Sequence, residues 1–142
     1  KITHIKKDIE SSGKSLEDII IMASIIEKEA KGEEDRYFIS GILWKRISKG
    51  IPLQVDAPFL YILGKESSEL TRADLSINSP FNTYKNKGLT PSPIGNPGLE
   101  SIKASIKPKD SPYLYYLHDS DGNIHYAKTY TEHLKNINKY LK

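Results

Sequence analysis

The 142-residue chain contains no cysteine, one methionine, one tryptophan and three phenylalanines. Without thiols it cannot form disulfides, thiolate metal sites or a cysteine nucleophile. Neither charge sign prevails, since 21 Lys and Arg face 18 Asp and Glu for a net +3. No basic block stands out, so composition gives no reason to expect nucleic acid as a partner. Nowhere do about 18 apolar residues run together, and no signal peptide opens the sequence. The start, KITHIKKDIE without Met, reads as a cut from a longer protein. P-loop, dinucleotide and G-x-S-x-G fingerprints are missing as well. What the chain does have is tyrosine, nine in all.

Hydrophobic spacing predicts one α+β domain over residues 1–142. Ser15-Leu16-Glu17-Asp18 resembles a capping box with Asp in place of Glu, and Ile19, Met22, Ala23, Ile26 and Ala30 then recur at helical intervals. The first helix is expected from Ser15 to Lys31, ended by Gly32, and a second from Glu33 to Ser48, ended by Gly50. Together they would form a helical hairpin. From Ile51 to Asn96 the pattern fades into a long irregular segment, with short helical pieces expected at Pro58 to Leu63 and Arg72 to Leu75. Its aromatics, Phe59, Tyr61, Phe81 and Tyr84, predict order. Asn96-Pro97 reads as a cap and first helical residue of a helix through Ser105. Asp121-Gly122, between PYLYYLH and NIHYAK, predicts a β-hairpin with a two-residue turn. Such a turn sets His118 opposite His125, a pair without an evident third ligand, so no metal site is expected. Thr129 and Glu132 form a capping box that opens a last helix reaching Leu141.

Two carboxylates, Glu27 and Glu29, stand at the end of the first helix. At 100° per residue they diverge by about 200° and cannot face one bond together. Either works alone, or both are boundary residues of an amphipathic helix. Glu27 shares its side with Ile20, Ala23 and Ser24, and Glu29 flanks Met22 and Ile25.

ASIIEKEA (Ala23 to Ala30), LQVDAP (Leu53 to Pro58), SPFNTYKNKGLTPSPIGNPGLESIKASIKP (Ser79 to Pro108) and SPYLYYLHDSDGNIHYAKTYTEH (Ser111 to His133) resemble, in order and spacing, the endolytic murein transglycosylase, or YceG-like, family. The likeness runs from about Leu16 to the end. It implies a helical catalytic core of lysozyme-like transglycosylase character, with a β-hairpin and a long ordered irregular segment. It also implies a lyase that cuts the bond between N-acetylmuramic acid and N-acetylglucosamine in peptidoglycan, leaving 1,6-anhydro ends. No cofactor is expected. The parent protein would be anchored in the bacterial inner membrane with its catalytic domain periplasmic or extracellular, its anchor and LysM-like subdomain lying outside this sequence. Glycan strands are the implied partner, with cell-wall synthesis proteins as further candidates and no nucleic acid. A hydrolytic muramidase and a noncatalytic peptidoglycan-binding module are the alternatives.

The first Glu of EKE, Glu27, is the catalytic residue that the resemblance implies. Its apolar flank is expected to desolvate the carboxyl, raise its pKa and keep a proton available. Candidate substrate-binding residues are Gln54, Asp56, Asn82, Thr83, Tyr84 and Asn96. Asp56, within LQ-x-D, either supports positive charge or caps the helix opened by Ala57-Pro58. Tyr84 and Phe81 either stack on sugars or fill the core.

Overall fold

The computed structural model of the chain describes residues 2–142, with side chains from Ile5 onward. A helix that the sequence pattern did not announce, α1 (Ile2–Ser12), comes first. α2 (Leu16–Glu29) follows, and its cap is the expected one, the Ser15 hydroxyl accepting from the Asp18 N–H at 3.1 Å. Residues 21–26 of α2 are all buried, so its middle is enclosed on every side, while Leu16, Glu17, Asp18 and Lys28 near its ends stay exposed. It stops at Glu29, short of Lys31, and Gly32 proves to be the N-cap of α3 (Glu33–Ser48).

α2 packs on α3 as a hairpin, and α5 (Leu99–Ile106) lies against both. Small residues permit that approach. Ser101, Ala104 and Ser105 are fully buried. Backbone carbonyls of the packed helices accept from polar side chains: Ser40 Oγ donates to Ala104 O at 2.7 Å, Trp44 Nε1 to Ser105 O at 3.0 Å, and Ser105 Oγ to Ile19 O at 3.0 Å. Just beyond α5 the chain passes so near α3 that a Cβ on Gly41 would sit well inside van der Waals contact of the Lys109 carbonyl oxygen. The Lys109 N–H holds the crossing in place by donating to Tyr37 O at 3.0 Å. α5 begins later than expected, with Gly98 as its N-cap; Asn96 lies exposed two residues upstream.

The irregular segment is ordered by its own side chains. Thr83 Oγ1 donates to Val55 O at 2.8 Å and accepts from Val55 N–H at 3.1 Å. Asn82 Nδ2 donates to Leu75 O and Ile77 O, each at 2.9 Å, while its Oδ1 accepts from Tyr84 N–H at 2.9 Å. The segment contains α4 (Ala57–Leu63) and two 3₁₀ turns, Ser67–Glu69 and Asp74–Ser76. Leu53, Val55 and Ile94 reach from it into the core beside Ile26, Ile39 and Leu43, with Phe81 packed at the margin.

A two-stranded antiparallel sheet, β1 (Tyr115–His118) and β2 (Ile124–Ala127), pairs Tyr115 with Ala127 and His118 with Ile124. That register is one residue away from a two-residue turn. The Asp119 carboxylate accepts from the N–H groups of Asp121 and Asn123, each at 2.9 Å, and Gly122 takes φ +86°. These bonds stabilise a three-residue turn, so His118 and His125 do not face each other. His125 instead contacts Asp119 at 2.8 Å and stacks on Tyr140 at 3.6 Å between ring centres. α6 (Tyr130–Tyr140) starts at the expected cap, Thr129 accepting from Glu132 N–H at 3.2 Å, and none of its residues is fully buried.

Candidate active site

Consecutive basic residues of α3 dock the hairpin onto the helical core. Lys45 Nζ donates to Ser111 O and Tyr113 O, and Arg46 Nη1 to Leu114 O at 2.8 Å. Between the hairpin, the 53–56 segment and the end of α2 lies a cleft of about 510 Å³. Glu29, Arg46, Gln54, Asp56 and Tyr84 line it, facing Tyr115, Tyr116, His118 and His133.

Glu29 Oε1 accepts a 2.6 Å hydrogen bond from the Tyr116 hydroxyl. Burial drives the Glu29 pKa from the ordinary carboxylate range up to about 7, and the negative charge of Asp56 pushes the same way. The Tyr116 hydroxyl and the Ala57 N–H oppose that rise by favouring the ionised form. Tyr116 itself is held well above its usual range by burial and by Glu29, so it stays a donor. A second phenol makes the parallel contact, Tyr84 donating to Asp56 Oδ1 at 2.6 Å. Asp56 occupies the N-cap position of α4 without capping it through its side chain. Gln54 lines the cleft with its backbone at φ +54°, its N–H donating to Thr83 O at 3.1 Å.

Glu27 does not line the cleft, and the pKa expected of it has the wrong sign. Its Oε1 accepts from Gly98 N–H at 2.9 Å and Ser101 Oγ at 2.8 Å, and these two bonds lower its pKa against a smaller effect of burial. The geometry is that of a capping box supplied from another helix. A carboxylate at the N-terminus of α5 satisfies the cap N–H and meets the positive end of the helix dipole. Glu27→Ala should therefore lower stability by about 1–2 kcal/mol, as loss of a cap does, measured as a fall in the denaturation midpoint. An unchanged midpoint would contradict this role.

Of the other candidates, Gln54, Asp56 and Tyr84 line the cleft; Asn82, Thr83 and Asn96 do not. Asn82 and Thr83 are buried with their polar atoms committed to the backbone, and no cleft contact involves Asn96. Phe81 also lies off the cleft, packed on the core and 5.4 Å from Tyr61 between ring centres. Sequence reasoning passed over Arg46, Tyr115, Tyr116 and His133. The tyrosine-rich stretch was a visible signal, but nothing in the sequence tied Tyr116 to a carboxyl 87 positions away.

Tyr116→Phe removes a donor that favours the charged form of Glu29, so the Glu29 pKa should rise further. The titration of the Glu29 carboxyl, followed by NMR, would then move to higher pH. A titration that stays put or moves to lower pH would refute the contact's influence.

Known proteins agree with this architecture. The chain is 41% identical over 136 residues to a Bacillus subtilis (strain 168) protein named endolytic murein transglycosylase, covering 96% of this chain and 38% of that one. A Streptococcus pneumoniae (serotype 2, strain D39) protein of the same name is 34% identical over 139 residues, covering 94% of this chain and 25% of its own length. A YceG-like protein of Listeria monocytogenes, solved by crystallography, superposes with a TM-score of 0.87 at 40% identity, across 95% of this chain and 44% of that one. This sequence thus spans less than half the length of each relative. Since residues 1–139 match the YceG-like family as well, the chain belongs to that family.

Proposed function

We propose that this chain is the catalytic part of an endolytic peptidoglycan lytic transglycosylase, with Glu29 as its single acid–base residue. The observation that carries the reading is a carboxyl in a cleft whose pKa of about 7 leaves it part-protonated at neutral pH. Protonated Glu29 gives its proton to the oxygen linking N-acetylmuramic acid to N-acetylglucosamine as the bond from that oxygen to C1 breaks. The carboxylate then takes the proton of the muramyl C6 hydroxyl, whose oxygen closes onto C1 as a 1,6-anhydro ring. One carboxyl thus serves both steps. Asp56, braced by Tyr84, supplies negative potential for the oxocarbenium-like transition state.

The names carried by the relatives support peptidoglycan as substrate. Among the described residues no helix is long and apolar enough to cross a membrane. The reading assigns this part to the outer side of the inner membrane, where the substrate lies, on a parent anchored elsewhere in its sequence. Enzymes of wall synthesis are the matching class of protein partner, because nascent strands are their product.

Mass spectrometry of purified glycan strands after incubation with the protein tests the reading. Anhydro-muramyl ends, one water lighter than hydrolytic ends, are expected. Reducing ends would make the enzyme a muramidase, and intact strands after incubation with both this chain and a longer form would make it a binding module.

A further inference from the structure

Arg46 is 4% exposed, yet no carboxylate among the described residues comes within ion-pairing distance of it. Four of its five N–H groups are spent on neutral acceptors. Nε and Nη2 donate to Pro52 O at 3.0 and 2.8 Å, Nη1 to Leu114 O at 2.8 Å, and Nη2 also to Gln54 Oε1 at 3.4 Å. One N–H of Nη1 remains. A buried cation with no counter-ion is costly to a fold, and an incoming anion would offset that cost. His133 lines the same cleft, with its Nδ1 enclosed and without a hydrogen-bond partner among the described residues. Both groups rest on one ring: the guanidinium carbon of Arg46 is 5.2 Å from the centre of Tyr115, and the imidazole of His133 stacks on it at 5.0 Å and 22°. The Tyr115 ring is thereby occupied in fixing two polar groups and is not a free platform for a sugar.

We infer that the Arg46–Tyr115–His133 corner of the cleft is an anion subsite that takes a carboxylate borne by the muramyl residue next to the cleaved bond. This rests on the functional reading above, for of the two alternating sugars only N-acetylmuramic acid carries such a substituent. The carboxylate has two possible sources: the peptide stem, or the lactyl group itself where the stem has been removed. The one free N–H of Arg46 Nη1 donates to the oxyanion as a charge-assisted hydrogen bond, and His133 supplies the second nitrogen.

The test measures binding with Glu29→Gln protein, so that no turnover occurs. Three ligands are compared at fixed ionic strength: neutral N-acetylglucosamine oligomers, stem-free glycan strands and stem-bearing strands. The expected result is at least one acidic ligand held about tenfold or more tighter than the neutral one, the value of a charged hydrogen bond. Whichever acidic ligand shows the gain names the source. Adding His133→Phe, which keeps the stacking, or Arg46→Lys, which keeps the charge but not the free Nη1 N–H, should shrink that gain toward unity. Exposed Lys28 and Lys31 also line the cleft, and a gain that survives Arg46→Lys and His133→Phe but vanishes in Lys28→Gln/Lys31→Gln would overturn the subsite in favour of general attraction. Equal affinity for neutral and acidic ligands would overturn the subsite while leaving glycan binding intact. Failure to bind any of the three would overturn the functional reading together with it.

Discussion

Glu29→Gln should abolish glycan cleavage while the protein stays folded. The amide keeps size and polarity and can still accept from Tyr116, but it can neither give nor take a proton. General acid–base groups commonly contribute about 10²–10⁴-fold, and here one group serves both steps, so the upper end of that range is the minimum loss expected. A folded variant with turnover like the wild type would remove Glu29 from the mechanism. The same substitution should act on stability in the opposite direction. The Glu29 pKa is raised by folding, from an ordinary 4.5 to about 7. Its stabilising share is therefore complete below pH 4.5 and is lost as pH rises through about 7, where the fold must hold a buried charge. At pH 8 to 9 Glu29→Gln should melt higher than the wild type, by on the order of 2–3 kcal/mol. At pH 4 the two should melt alike. A wild-type protein equally stable at both pH values relative to the variant would show that this carboxyl is not desolvated. The rate follows the same group: as the proton donor, Glu29 should lose activity as pH climbs past neutrality.

The second large effect is expected far from the cleft. Gly41→Ala drives a methyl group into the Lys109 carbonyl oxygen, and neither side can yield easily. α3 is packed on α2 and α5, and the Lys109 segment is tied back to Tyr37 O through its own N–H. Overpacking costs about 1–3 kcal/mol and occasionally more, and an obstacle that is backbone on both sides puts this site at the upper end. Gly41→Ala should therefore lose about 3 kcal/mol or more and express poorly, whereas Gly64→Ala, where no atom lies within 4 Å of the added carbon, meets only the strain of φ +69°. Chemical denaturation of the two variants side by side decides it, and an equal or smaller loss at Gly41 would mean that the crossing is looser than described.

Local chemistry was legible in the sequence wherever it acts over a few residues. The Ser15 and Thr129 caps follow from side chains that bond within one turn of themselves, the bounds of α3 from the glycines at 32 and 50, and the hairpin from Asp121-Gly122. The divergence of Glu27 and Glu29 followed from helical geometry alone. Which of the two faces the cleft did not, because that depends on partners 71 and 87 residues away, Gly98 for one and Tyr116 for the other. An apolar flank suggested desolvation at Glu27, but two donors at the start of α5 outweigh it. Asn82 and Thr83 were plausible sugar ligands by residue type. In the folded chain their hydrogen bonds go instead to Leu75, Ile77 and Val55, and they hold in place the segment that carries Gln54 and Asp56. The hairpin register turned on a single carboxylate, Asp119, gathering two N–H groups.

Gln54 is the one non-glycine residue with positive φ among those described. A side chain in that conformation costs about 1 kcal/mol or more, which glycine at the same position would largely relieve. Folding gives a glutamine here one weak return, the 3.4 Å hydrogen bond that its Oε1 accepts from Arg46 Nη2. Gln54→Gly should leave the melting temperature nearly where it was while weakening substrate capture, so that position 54 separates the demands of assembling the chain from those of using it. Where a polypeptide holds an amide over a reaction cleft at the expense of its own backbone comfort, the strain itself becomes a marker of the working surface, readable without any ligand in place.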